Sequence, residues 1–313
     1  MREFIILAVV VAFSLLTYWL VEPFAHSQMH KHVESEHFKY ADIPEITKTG
    51  NAEAGKALVM GAAACTGCHS IKSQGMPAMM DAVTAAASYG VNPPDLSVAG
   101  GIFEPKFLAA LVKNPAHALN LDHKYPEGGS KMHPMTSFYG AGGDIDQEIA
   151  DIVSYLVSIA PKAEEITPKV AFENACGRCH NMRYVKWTVI GEKSTFKYKK
   201  DELRFDADVL EYQGHVTKYM GKTPPDLSMY YRSRGEHFLS TFIEDPQSQL
   251  HGTAMPRVGV SPEAAEKVLA YLEFAADPKA EEREEIGKNV MIYMIFFVIF
   301  AFLWKQQVWR KLH

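Results

Sequence analysis

All four cysteines of this 313-residue chain fall in two copies of one spacing, CTGCH from Cys65 to His69 and CGRCH from Cys176 to His180. Two thiols one helical turn apart suit the two vinyl groups of a haem, and the adjacent histidine presents its imidazole to the iron. A zinc knuckle needs four ligands per metal, and neither motif has a second Cys/His pair at finger-like spacing. A thioredoxin-type pair follows a strand and does not need the histidine. The spacing therefore predicts two covalently attached c-type haems, on Cys65 and Cys68 and on Cys176 and Cys179, with His69 and His180 as axial iron ligands. No thiol remains for a disulfide or a nucleophile.

The cysteine motifs belong to a longer internal repeat. NPPDLS, Asn92 to Ser97, recurs as TPPDLS, Thr223 to Ser228, and both copies then reach a Phe-Leu pair (Phe107, Phe238) and an Asx-Pro step (Pro115, Pro246). Each closes on an amphipathic stretch, EIADIVSYLVSIA and EAAEKVLAYLEFAA, apolar at helical spacing. The segment PKAEEITP, Pro161 to Pro168, interrupts the periodicity between them. These signals predict a first domain over 49–161, a linker over 162–168 and a second domain over 169–280. No alternating strand pattern stands out, so the class expected is mainly α, with short helices, long loops and a flat buried cofactor completing each small core.

The second axial ligand separates an electron carrier, closed by methionine, from a catalyst with an exchangeable site. In the second copy Met255, in TAMPRVG, is the candidate. In the first, KMHPMTSF offers Met132 and Met135; the shared spacing to a following apolar residue, Phe138 or Val258, favours Met135. His133 is a third candidate, which would make a bis-histidine site. An axial imidazole also needs its other nitrogen held, and a Pro-Pro segment supplies a rigid backbone carbonyl. Pro93 and Pro224 are the candidates, with Pro94 and Pro225 beside them.

Two apolar runs flank the repeat. Phe4 to Val21 carries no charge and would span roughly 27 Å as a helix, close to the thickness of a bilayer core. It is long for a signal peptide, and no small-x-small cleavage site follows. Val290 to Trp304 is bounded by Lys288 and Lys305, whose long side chains can snorkel. Anchors are expected over 1–24 and 286–306, with a juxtamembrane linker over 25–48. Lys305, Arg310 and Lys311 make the tail, 307–313, cytoplasmic by the positive-inside rule, so the bulk faces the periplasm from the inner membrane. A net charge of −5 without a dense basic block excludes a nucleic-acid binder. His26, His30, His32 and His37 cluster beyond the first run, where polar residues need no metal to explain them.

The second copy, from Cys176 through the tail, resembles cytochrome c1, the anchored haem subunit of the bc1 quinol oxidoreductase. CGRCHNMRYVKW resembles that family's CxxCHSMxxVxY stretch, and TPPDLSMYYRSRGEHF its PPDLSxxxxARxGG stretch. Arg232 and Arg234 fall on the motif's two basic positions, and the family implies that the second helps hold a haem propionate. The span followed by KQQVWRKLH is similar to the family's carboxy-terminal anchor. The first copy lacks the arginine stretch and resembles a generic class I cytochrome c, so the whole looks like the dihaem variant of some bacterial bc complexes.

The resemblance implies two tandem class I-type cytochrome c domains between two transmembrane helices. It also implies cytochrome b and Rieske iron-sulfur partners, and delivery of electrons to a terminal oxidase or soluble cytochrome c. No independent catalytic site is expected. A dihaem subunit of a cbb3-type oxidase and a dihaem peroxidase are the competing readings. The stretch WTVIGEKSTFKYKKDELRFDADVLEY, before TPPDLS, lengthens the second copy and is either a docking segment for another subunit or a solvated excursion.

Overall fold

The computed structural model describes residues 2–31, 40–126 and 128–312; His32 and His37, and the side chains of His26 and His30, lie outside the described residues. The first apolar run forms α1 (Arg2–Leu16), a π-helical turn (Thr17–Val21) and α2 (Glu22–Lys31). Pro23 explains the turn. Inside a helix a proline ring collides with the carbonyl four residues earlier, here Trp19, and a wider turn relieves the collision. The second run lies in α15 (Ala280–Leu312). Both terminal helices are long and apolar enough to cross a membrane, and neither is buried against the rest of the chain.

Between them the first copy contains α3 (Ala52–Met60), α4 (Ala82–Tyr89), α5 (Ala99–Ile102), α6 (Pro105–Lys113), α7 (Pro115–Ala118) and α8 (Ile145–Ile159). The second contains α9 (Pro168–Ala175), α10 (Lys199–Met220), α11 (Tyr230–Arg234), α12 (Glu236–Glu244), α13 (Pro246–Gln249) and α14 (Pro262–Ala276). A small hairpin, β1 (Trp187–Thr188) with β2 (Gly191–Glu192), precedes α10. Strands of two residues are too short to show alternation in a sequence. The architecture is mainly helical.

In each copy the first and last helices pack together. Asn51 caps α3 by accepting from the Glu53 and Ala54 N–H groups, and Asp144 caps α8 in the same way. A Cβ on Gly55 would lie 1.9 Å from the Asp151 carbonyl oxygen, so only glycine lets α3 approach α8 this closely. In the second copy α9 and α14 meet through Phe172 and Tyr271, ring centroids 5.3 Å apart.

The two copies share one hydrophobic cluster, while Val59, Ile71, Ile152, Tyr155 and Leu156 form another within the first. Ile102, Phe103, Leu108 and Val153 of the first pack in one cluster with Phe172, Val260, Val268 and Leu272 of the second. Backbone bonds stitch the seam: Glu104 N–H donates to Gly259 O (2.9 Å) and Ser261 N–H to Ile102 O (2.8 Å). The long stretch before TPPDLS is largely α10, whose buried Tyr212, Val216 and Met220 pack on Ala86 of α4. That face is therefore spent on the first copy, a role neither sequence reading of the stretch anticipated. Its opposite side leaves Leu203 and Leu210 exposed.

Candidate haem sites

Each CxxCH motif folds into one tight turn. The His69 N–H donates to the Cys65 carbonyl (2.9 Å) and the His180 N–H to the Cys176 carbonyl (3.0 Å), bringing both cysteines and the following histidine within a single turn. All four thiols are free. Burial pushes the Cys176 thiol up to about 12 and raises Cys65 and Cys179 as well, so these sulfurs stay protonated in the polypeptide.

The imidazoles are held from behind. His69 Nδ1 lies 2.9 Å from the Pro94 carbonyl and His180 Nδ1 lies 2.8 Å from that of Pro225. A carbonyl only accepts, so each Nδ1 carries the proton and each Nε2 keeps its lone pair for a metal. Burial also lowers both imidazole pKa values, which keeps the rings neutral. The accepting carbonyls belong to the second proline of each pair, one residue beyond Pro93 and Pro224. In an extended segment successive carbonyls point in opposite directions, so only one of two neighbours can face the ring.

The rest of the PPDLS repeat pins that carbonyl in place. Asp95 Oδ1 accepts from Ser97 N–H (2.9 Å), and Ser97 Oγ accepts from Ser73 N–H (2.9 Å). Asp226 and Ser228 repeat the pattern, with Ser228 Oγ accepting from Tyr184 N–H (3.2 Å). Leu96 N–H and Leu227 N–H bond the Ser70 and Asn181 carbonyls just after each histidine (both 2.9 Å). Sequence reasoning assigned these Asp and Ser residues no role, although their duplication was a signal.

On the methionine side of the first copy, Met132 is 71% exposed whereas Met135 is half-buried. Between them His133 is engaged at both ring nitrogens, Nδ1 with the Met135 backbone and Nε2 with Tyr219 Oη at 2.9 Å. In the second copy Met255 is half-buried, and its N–H donates to Thr253 Oγ1 (3.4 Å). Two residues on, the buried Arg257 donates from Nε to Ala118 O (3.0 Å), from Nη1 to Asp42, and from its backbone N–H to Leu119 O (3.2 Å). Arg232 and Arg234 are exposed on α11, with Arg234 over the Phe238 ring at 5.6 Å.

One contact crosses directly between the motifs. Arg178, inside CGRCH, donates from Nη1 to the Asn92 carbonyl (3.0 Å), and the Asn92 N–H donates to Tyr212 Oη (3.0 Å). Nothing in the pattern C-x-x-C-H marks an intervening residue, so this link was not legible in advance.

These residues fit a covalent haem. Thiol pairs sit beside anchored neutral imidazoles, and buried polar groups without a partner, Arg178 Nε and Tyr155 Oη, lie in the same two copies. A porphyrin's carboxylates are the kind of group such donors would satisfy. A mainly helical chain with this chemistry has the features of a c-type cytochrome. Residues 52–160 match the cytochrome c family model, and residues 259–312 match that of the cytochrome C1 family.

Cytochrome c1 of Allochromatium vinosum is 21% identical over 199 residues, covering 45% of this chain and 82% of that one. A solved chain titled "Hyperthermophilic respiratory Complex III" is 22% identical, with a TM-score of 0.37, covering 48% of this chain and 76% of that one. The chain is cytochrome c1-like and joins a cytochrome c domain to a c1-type carboxy-terminal segment. Such families carry covalently bound haem c.

Proposed function

We propose that this chain is the dihaem electron-transfer subunit of a bc1-type quinol oxidoreductase, anchored by both terminal helices. The observation that carries the reading is the duplicated proximal geometry, His69 on Pro94 and His180 on Pro225 at nearly equal distances. The haem, held at 49–161 by Cys65, Cys68 and His69 and at 169–280 by Cys176, Cys179 and His180, supplies a one-electron couple. The protein needs no acid, base or nucleophile for this; its residues hold the imidazoles neutral and oriented.

Met135 and Met255 are the residues that would supply the second protein ligand to each haem iron. Half-burial supports Met135 over the exposed Met132, and the engaged nitrogens of His133 argue against it as a ligand. The c1-like copy lies next to the carboxy-terminal anchor, so electrons enter there from a Rieske partner seated on cytochrome b and leave through the first copy to an oxidase or soluble cytochrome c. The haem copies face the periplasm, which the basic tail supports.

The experiment is purification of the tagged chain from its native membrane, followed by a pyridine haemochrome assay and identification of co-purifying subunits. Two haems per chain with a cytochrome b and an iron-sulfur protein are expected. One haem per chain, or co-purification with oxidase subunits only, overturns the reading. Rapid peroxide turnover by the isolated chain would instead make it a peroxidase.

A further inference from the structure

We propose that Arg178 is the positioning residue that joins the two haem sites into one electron path, its guanidinium linking the attachment turn of the second copy to the loop that holds His69. The inference rests on the two-haem reading above and adds to it a specific route. From His69 Nδ1 the path crosses one hydrogen bond of 2.9 Å to the Pro94 carbonyl. It continues along the backbone through Pro93 to Asn92, crosses a second bond of 3.0 Å to Arg178 Nη1, and reaches Cys179 as the next residue in the chain. Two hydrogen bonds are the only non-covalent steps between an axial ligand of one site and a thioether position of the other.

The loop is clamped from both sides. Asn92 presents its carbonyl to Arg178 and its N–H to Tyr212 Oη, so both polar groups of one peptide residue in the first copy are held by the second. Tyr212 is fully buried, packed with Val216 and Ala86 where α10 meets α4, and it therefore cannot yield without disturbing the seam. A hydrogen bond from a charged guanidinium is stronger and better oriented than a neutral one, and an arginine's planar fork fixes direction as well as distance. No other residue of CGRCH could reach across: Gly177 has no side chain, and a Cβ there would lie 2.7 Å from Trp187 Nε1.

The chain's own part is to hold both imidazoles as Nδ1–H donors to their carbonyls, so an electron passing between haems bound at the two sites would require no bond to form or break and no proton to move.

The test uses the full-length chain in detergent. The second site is reduced by a light-triggered donor, and equilibration between the haems is followed by absorbance. Arg178→Ala should slow equilibration measurably, because the route then loses its bond from Asn92 to the second copy. Arg178→Lys, which keeps a cationic donor, should recover most of the rate, and Tyr212→Phe should slow it by a smaller factor at unchanged haem content.

A purely structural arginine would lower the melting temperature of both Arg178 variants without this graded recovery. Two haems per chain with a wild-type rate in Arg178→Ala overturns the proposal alone. One haem per chain in the wild type overturns the reading beneath it. If Arg178→Ala does not retain both haems, a wild-type rate in Tyr212→Phe and Arg178→Gln together overturns it.

Discussion

Arg257 Nη1 donates to both carboxylate oxygens of Asp42, at 2.7 and 2.9 Å, although 215 residues separate the two in the chain. Asp42 lies ahead of the first copy, and Arg257 follows Met255 by two positions. The loop that carries Met255 is thus fastened to chain outside its own copy.

Arg257→Ala strands the Ala118 carbonyl and the Asp42 carboxylate, and should cost about 2–4 kcal/mol on thermal or denaturant unfolding. Asp42 is half exposed, so Asp42→Asn should cost less, about 1 kcal/mol. Arg257 holds the Asp42 carboxyl below the usual carboxylate range. A depressed folded-state pKa gives stability that is complete above the unfolded value near 4 and is lost as pH falls through the folded value. Acid unfolding should therefore be less steep in Asp42→Asn than in the wild type.

Met255→Ala should remove the sulfur-to-iron charge-transfer band of the second site in the oxidised protein and block quinol-driven reduction of both haems. Met135→Ala should remove the band of the first site while Met132→Ala leaves it, with electrons still reaching the second haem. Loss of the band in Met132→Ala only would move the ligand by three positions.

Gly259→Ala tests the seam directly. Gly259 has φ +76°, and a Cβ there would lie 2.0 Å from Phe107 Cδ1 in the first copy. Forced overpacking at a left-handed position should destabilise the chain by about 2–4 kcal/mol, and Phe107→Leu should recover part of it. An unchanged melting temperature would mean that the seam opens in solution.

Both termini should lie on the cytoplasmic side. Glu3 near the start of α1 and Lys305 near the end of α15 approach to 3.6 Å, as two antiparallel spans would require. Reporter fusions at each end check this, and a periplasmic carboxy terminus, or a mature amino terminus beyond Val21, would refute the double anchor.

The local chemistry was legible in the sequence because it is local. CxxCH, the two terminal apolar runs and the closing amphipathic helices each follow from spacing within one segment. The proximal carbonyl was legible to within one residue, since a Pro-Pro pair announces a rigid acceptor but not which carbonyl turns inward. What the sequence hid is contact between distant segments. Nothing near Arg178 points to Asn92, nothing near Arg257 points to Asp42, and the stretch that forms much of α10 reads as a docking segment for another subunit or a solvated excursion until α4 is laid against it. Repetition likewise gave no sign that Ile102 and Phe103 of the first unit would pack in one cluster with Val260 of the second.

That shared cluster sets a timetable for biogenesis. A chain is synthesised from its amino terminus, so α8 is finished before α14 exists, and the Ile102–Leu108 face stays bare while the intervening residues are made, roughly ten seconds at ordinary elongation rates. During that interval Asn92 is not yet clasped by Arg178 and Tyr212. A chain whose second half arrived late would expose that apolar surface to aggregation for the whole of the delay.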